Sequence, residues 1–272
     1  VLDWTPNTNH TGLYVAKELN YFSDEGLDVE IIQPPQGNAT MLVATGKAQF
    51  GIDFQDYLAP ALSRKNPLPV TAIAAICQHN TMGILSRKRA KIHNLEDMLF
   101  KNYATYDDPI EQGILKNIFK KNDLDFNKVN LIHSFVENIL VSFEKDVDAV
   151  LAYYGWDKIL ADTNNISNNF MFLSDLDNVL DYYTPVIIAN NNYILNNEVK
   201  TIKFMRAVYK GYNYSISRPL EAAKILSKFT LAKDENFLLK SQEYISSQYK
   251  AEAEFWGTIK KDRWENFYYW LY

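Results

Sequence analysis

The sequence carries a single cysteine, Cys77, among 272 residues. One thiol excludes an intrachain disulfide, and no Cys/His spacing resembles a zinc site. Glycine and proline are sparse, at 10 and 9 residues, and 22% of the chain is charged. That composition argues against a fibrous repeat or a disordered chain. No run approaches the roughly twenty apolar residues of a membrane span. A basic excess is missing too: 28 Lys and Arg stand against 33 Asp and Glu, a net charge of −5. The chain therefore lacks the electrostatic footprint of a nucleic-acid or anionic-lipid binder. Its one basic cluster, Arg87-Lys88-Arg89-Ala90-Lys91, reads as a solvated loop. No Ser-His-Asp order, paired-carboxylate motif or phosphate loop stands out.

What is present is apolar and aromatic. Hydrophobic residues make up 47%, with Tyr 18, Phe 15 and Trp 5. The length suits two α/β domains of ordinary size. Tyrosine and tryptophan can face a ligand while keeping a polar tip wet, so local clusters of them suit a binding cleft.

The first third alternates strand and helix. Strands are expected at Val29 to Ile32, Gln49 to Ile52 and Val70 to Cys77, and helices at Ala39 to Ala44 and Tyr57 to Arg64. The helix at Ala39 should begin after the Gly37-Asn38 turn. Further strands are expected at Tyr103 to Tyr106, Val129 to His133, Ala149 to Tyr153 and Pro185 to Ala189. Asp108 and Pro109 read as the cap and first residue of a helix. Such alternation favours a parallel sheet covered by helices. From Val199 onward only helices are expected, so they must pack on a sheet already built. That ordering implies a discontinuous first lobe, residues 1–85 and 188–272, around a second lobe, residues 86–187.

Candidate site residues cluster at strand ends. Leu2-Asp3-Trp4 is a short apolar start that opens into a polar loop with Asn7, Asn9 and His10, followed at once by a helix. Loops of this kind hold small molecules in α/β proteins. Trp4 offers a stacking face for a flat heterocycle or ordinary core packing, Asn7 or Asn9 a ligand contact or a helix cap, and His10 a group that titrates near neutrality or a structural hydrogen bond. Asp53 and Gln55 follow the next strand, Asp53 as a cap or an amine acceptor. Gln78 and Asn80 follow the strand before the crossover. In the second lobe, Tyr106 with Asp107 and Asp108 precedes a helix, Glu111 in its first turn reading as structural. Tyr153, Tyr154 and Trp156, then Tyr182 and Tyr183, form a second aromatic wall. Adjacent residues on a strand point oppositely, so one tyrosine of each pair is expected to leave the core. Trp264, Phe267, Tyr268 and Leu271 fall at helical spacing and read as core, and Trp256 as core near the site.

Three motifs carry a resemblance: Gly12-Leu13-Tyr14-Val15-Ala16-Lys17, Tyr21-Phe22-Ser23-Asp24-Glu25-Gly26-Leu27-Asp28-Val29 and Gly46-Lys47-Ala48-Gln49-Phe50-Gly51-Ile52. They resemble the periplasmic binding proteins of bacterial ABC importers, in the nitrate/taurine/pyrimidine branch. Many of those have Gly where this chain has Asn20, which also tolerates the left-handed backbone that ends a helix. Leu2 through Gly12, Ile31-Ile32-Gln33-Pro34-Pro35, Cys77-Gln78-His79-Asn80-Thr81, Leu180-Asp181-Tyr182-Tyr183-Thr184-Pro185-Val186 and Arg263-Trp264-Glu265-Asn266 are similar to the binders of thiamine pyrimidine precursors within it. The resemblance implies a two-lobed, type II periplasmic-binding-protein-like α/β fold. It implies capture of an uncharged or weakly basic pyrimidine of the formylaminopyrimidine or hydroxymethylpyrimidine type between lobes that close on it. A monomer handing its cargo to a membrane permease follows, outside the cytoplasm as a periplasmic protein or lipoprotein whose leader is absent from this chain. Neither a cofactor nor catalysis is expected.

Two departures from the family stand out. An acidic residue is expected shortly before Gly155-Trp156, where this chain has Tyr153-Tyr154. The related fungal pyrimidine synthase is expected to need a lysine for pyridoxal phosphate, a sacrificed histidine and a cysteine cluster. After Gly51-Ile52 this chain reads Asp53-Phe54-Gln55-Asp56-Tyr57, with neither Lys nor His. Other cargoes of the same scaffold are riboflavin, thiamine or a sulfonate such as taurine, and an anionic one should demand an arginine or a helix N-terminal nest.

Overall fold

The computed structural model describes residues 1–34, 39–106, 108–133, 139–144 and 146–272. Pro35, the Gly37-Asn38 turn and Asp107 lie outside them. The chain divides into two units, Val1–His79 with Tyr182–Trp264, and Asn80–Asp181 with Glu265–Tyr272. The division falls earlier than the expected bounds, and the last eight residues group with the second unit instead of the first.

The first unit begins with α1 (Thr11–Glu18) and α2 (Tyr21–Asp24), separated by Asn20 in the left-handed conformation at φ 61°. It continues through α3 (Ala39–Ala44), β1 (Phe50–Asp53), α4 (Gln55–Leu62) and β2 (Val70–Ala75). Neither the chain start nor Val29 to Ile32 forms the expected strand. The Val1 nitrogen donates to Phe50 C=O at 2.9 Å and Leu2 N–H donates to Ile32 C=O at 2.9 Å. Pro34, close beyond, has no N–H to extend a ladder.

The second unit runs β3 (Met82–Arg87), β4 (Asn102–Thr105), α5 (Pro109–Lys121), β5 (Asn130–His133), α6 (Ile139–Glu144), β6 (Ala149–Tyr153), α7 (Ile159–Thr163), β7 (Asn168–Phe172) and α8 (Leu173–Leu176). Its sheet order is β5-β4-β6-β3-β7. Only the β4 pairings with β5 and β6 are parallel; β3 is antiparallel to both neighbours. The purely parallel expectation fails because β3 is a strand buried along its whole length where a crossover was expected. Arg87 closes that strand as a buried residue with its guanidinium over Phe143, not in a solvated loop.

The chain then returns to the first unit. β8 (Val186–Asn190) inserts between β1 and β2, antiparallel to both. The first sheet is therefore incomplete until the second unit has been made, which is why the first unit is discontinuous. The helices α9 (Asn191–Asn196), α10 (Glu198–Ser217), α11 (Pro219–Leu226), α12 (Glu235–Lys250) and α13 (Lys261–Leu271) follow. α10 meets α1 glycine to glycine: a Cβ at Gly211 would lie 2.0 Å from the Gly12 carbonyl oxygen. On α13, Phe267 is buried and Trp264 packs on the first unit's core, while Tyr268 and Leu271 are only partly buried. Among the described residues no helix is long and apolar enough to cross a membrane.

Candidate functional site

In the first unit the loop from Asp3 to His10 is held from within. Asn7 caps a short helical turn: its Oδ1 accepts from Asn9 N–H at 2.9 Å, and its own N–H donates to His10 Nδ1 at 3.2 Å. Because Nδ1 accepts, the ring proton sits on Nε2, which donates to Asp3 Oδ1 at 2.6 Å. His10 is fully buried, so it orients Asp3 and does not face a ligand. Underneath, the Tyr212 hydroxyl donates to Asn9 C=O at 2.7 Å, and the Tyr212 ring stacks on Trp256 at 4.2 Å. Trp256 is buried, with its Nε1–H donating to Ile76 C=O at 3.1 Å. Held in this way, the loop leaves Trp4 44% exposed. The indole face is thus open to solvent and available for stacking.

Beside this loop, Asp53 ends β1. Its Oδ2 accepts from Thr40 N–H at 3.2 Å and from the Thr40 hydroxyl, and its Oδ1 accepts from Phe54 N–H at 2.8 Å. Burial, with Asp3 as a like-charged neighbour, outweighs those bonds and pushes the Asp53 carboxyl up to about 6. Asp53 thus bonds the first turn of α3, and it has no cationic partner among the described residues. Next to it, Phe54 and Tyr57 form a tilted aromatic pair at 5.7 Å, with Tyr57 40% exposed.

Several expected ligand contacts are structural. Gln55 is fully buried; its Nε2 donates to Trp264 C=O at 2.8 Å and its Oε1 accepts from Tyr183 N–H at 2.9 Å. Gln78 is buried and donates to Thr258 C=O at 2.9 Å. Asn80, at the start of the second unit, donates to Leu180 C=O at 2.8 Å and accepts from Met82 N–H at 2.9 Å. Tyr182 and Tyr183 are both completely buried. The Tyr182 hydroxyl donates to Asp56 at 3.0 Å, and the Tyr183 hydroxyl accepts from Lys260 N–H at 3.0 Å. The alternation argument fails for this pair because residues 181–184 are not in a strand.

In the second unit, Tyr106 is 41% exposed at the end of β4. Tyr154 is partly buried, stacked on Phe172 at 5.2 Å with Lys158 Nζ 5.2 Å over its ring, so its faces are taken by its own unit. Trp156 is partly buried in a single π-helical turn, Tyr154–Lys158. That turn also presents Asp157, which sequence reasoning missed. Its Oδ2 accepts from Tyr153 N–H at 2.9 Å, and burial pushes the carboxyl up to about 6. An acid therefore stands just after Gly155-Trp156, where one was expected before it.

A cavity of about 290 Å³ lies elsewhere in the first unit, at the start of β1, among Leu2, Leu13, Phe22, Phe50, Ile52 and Phe204. None of the candidate residues lines it. Among the described residues no group of three or more His, Cys, Asp and Glu could hold a metal.

The fold is that of the periplasmic binding proteins. The aliphatic sulphonate binding protein SsuA from Escherichia coli shares it with a TM-score of 0.72 at 12% identity, covering 89% of this chain and 77% of that one. A ligand-binding component of an ABC-type import system from Staphylococcus aureus gives 0.71 at 10% identity, covering 98% and 88%. Residues 7–222 match the family described as NMT1/THI5 like, and the chain belongs to that family. A formylaminopyrimidine-binding protein from Halalkalibacterium halodurans is 26% identical over 238 residues, covering 83% of this chain and 68% of the relative. A 4-amino-5-hydroxymethyl-2-methylpyrimidine phosphate synthase from Saccharomyces cerevisiae is 23% identical, covering 82% and 68%.

Proposed function

We propose that this chain is the solute-binding protein of an ABC importer, acting outside the cytoplasm. In this reading it captures a thiamine pyrimidine precursor of the formylaminopyrimidine or hydroxymethylpyrimidine type and hands it to a membrane permease. The observation that carries the reading is the exposed Trp4 indole, next in sequence to Asp3, on a loop stiffened by Asn7 and His10. A flat heterocycle gains stacking on such a face, and its N–H groups gain an oriented acceptor. The kinship with a formylaminopyrimidine-binding protein supports the same class of cargo.

The second reading is catalysis, because synthases stand among the relatives. The residues present do not fit pyridoxal phosphate. Where a lysine is expected after Gly51-Ile52 stands Asp53, a carboxyl committed to Thr40 and Phe54. A carboxyl forms no Schiff base. Binding without bond chemistry is therefore the reading adopted.

Native mass spectrometry of the protein purified without refolding, followed by calorimetric titration with the two pyrimidines, riboflavin, thiamine and taurine, tests the proposal. A copurifying or titrating pyrimidine is the expected result. Taurine as the tightest cargo would overturn it. So would a Schiff-base absorbance with pyridoxal phosphate, coupled to turnover of a histidine in the presence of iron.

A further inference from the structure

In the first unit, Val1 and Leu2 lie between two extended segments. The Val1 nitrogen donates to Phe50 C=O and the Val1 C=O accepts from Ile52 N–H, both at 2.9 Å. Bonds to the residues on either side of Gly51 are the pattern of a parallel pair. On the other flank, Leu2 N–H donates to Ile32 C=O at 2.9 Å. β1 meets β8 through its alternate residues: Asn190 N–H donates to Gln49 C=O at 3.3 Å, so Gly51 and Ile188 form the next bonded pair. Phe50 and Ile52 therefore turn their backbone groups toward the line of Val1. One step back along that register, Phe50 N–H and Ala48 C=O border the 290 Å³ cavity on one flank, and Ile32 N–H and Glu30 C=O on the other. Among the described residues no hydrogen bond engages any of these four groups.

Both faces of this gap are apolar. Leu13, Phe22 and Phe204 line the cavity with the buried Leu2, and Val1 packs with Val43 and Leu58. Donors and acceptors at ladder spacing on two edges recognise a peptide backbone, and apolar walls on two faces recognise aliphatic side chains. We propose that the cavity is a strand slot: it takes an extended, apolar polypeptide segment, parallel to β1, that runs directly on into Val1. The occupant is in cis because the slot's axis is the line of Val1 and Leu2, so the end of a separate strand would abut Val1. At about 3.3 Å per residue, the edge Asp28–Ile32 matches an occupant of about four residues. Such a strand hydrogen-bonds to both edges and anchors the base of the Asp3–His10 loop, which follows Leu2 at once. The slot thus supports the loop that carries Trp4, whatever the cargo.

The full chain extended ahead of Val1 by Val-Ile-Val-Ile, compared with the same chain extended by Gly-Ser-Gly-Ser, tests the slot. Amide hydrogen exchange and thermal melts are the readouts. The Val-Ile form should slow exchange at the Ile32 and Phe50 amides at least about tenfold, because each gains a strand carbonyl as acceptor. It should also raise Tm by several degrees, as apolar side chains fill the cavity, while the Gly-Ser form moves both readouts far less. Unchanged exchange at both amides in the Val-Ile form overturns the proposal. Equal protection by the free peptide acetyl-Val-Ile-Val-Ile-amide, added to the unextended chain, overturns the arrangement in cis. Should the Val-Ile form fail to fold, a Thr-Val-Thr-Val extension is read by the same two measures, and unchanged exchange there overturns the slot. None of these outcomes bears on the pyrimidine titrations, which stand or fall separately.

Discussion

Asp56 makes the stability of this protein run against the usual pH trend. It lies in the first turn of α4, 3% exposed, with the Tyr182 hydroxyl on Oδ2 and no hydrogen-bond partner for Oδ1 among the described residues. Burial pushes its carboxyl up to about 7, against the help of Tyr182 and its own helix N–H groups; Asp53 is the like-charged neighbour that adds to the rise. The folded pKa exceeds the unfolded one, so the native state holds the extra proton between about pH 4 and 7. Stability from this group is full below the unfolded pKa and is lost as pH rises through about 7. From about pH 5.5 to about pH 8 the loss is roughly 2 kcal/mol at about 1.4 kcal/mol per pKa unit. Asp53 adds a smaller loss in the same direction. For a chain of this size that is a fall of roughly 4–8 °C in apparent Tm. Asp56→Asn keeps an acceptor for Tyr182 and removes the titration, so thermal melts across this range should lose most of the slope. A variant that keeps the slope, or an unmodified chain that grows more stable toward pH 8, would refute the reasoning.

Two further perturbations separate surface from core. Trp4→Ala should weaken pyrimidine binding at least tenfold by calorimetry with the melt unchanged, because base–aromatic stacking contributes on the order of 1–3 kcal/mol and the indole is not core. Gly211→Ala should lower stability by about 3 kcal/mol or more in chemical denaturation, since the new Cβ would sit 2.0 Å from the Gly12 carbonyl oxygen and backbone cannot swing aside.

Local signals were legible where local chemistry decides. The Asp108–Pro109 start of α5 follows from capping alone, and Asp108 does accept from Ile110 N–H at 2.6 Å. Ala149 to Tyr153 is a strand with the expected bounds. The helix-only tail signals a chain that returns to an unfinished sheet, and β8 finishes it. Where the deciding partner is distant, the signal vanishes. β3 looks like any apolar run with a glycine in it. Gly83 is required by β7, where a Cβ would meet the Phe170 ring at 2.3 Å. Gln55, Gln78 and Asn80 have the chemistry of ligand contacts, and only Trp264, Thr258 and Leu180, each a hundred residues or more away, make them structural. Asp157 was missed because nothing in Tyr153-Tyr154-Gly155-Trp156 announces the π-helical turn that brings an acid back onto the Tyr153 amide.

Charge separates the cargo classes that this scaffold carries elsewhere. Asp3 is held by the Nε2–H of His10, Asp53 by Thr40 and Phe54, and Asp157 by the Tyr153 amide. Among the described residues none of the three pairs with a lysine or an arginine. In the pyrimidine reading proposed above, a sulfonate set against any of them would meet like charge. An N–H-bearing ring meets an acceptor already desolvated and oriented. Likeness to sulphonate binders extends to the scaffold alone.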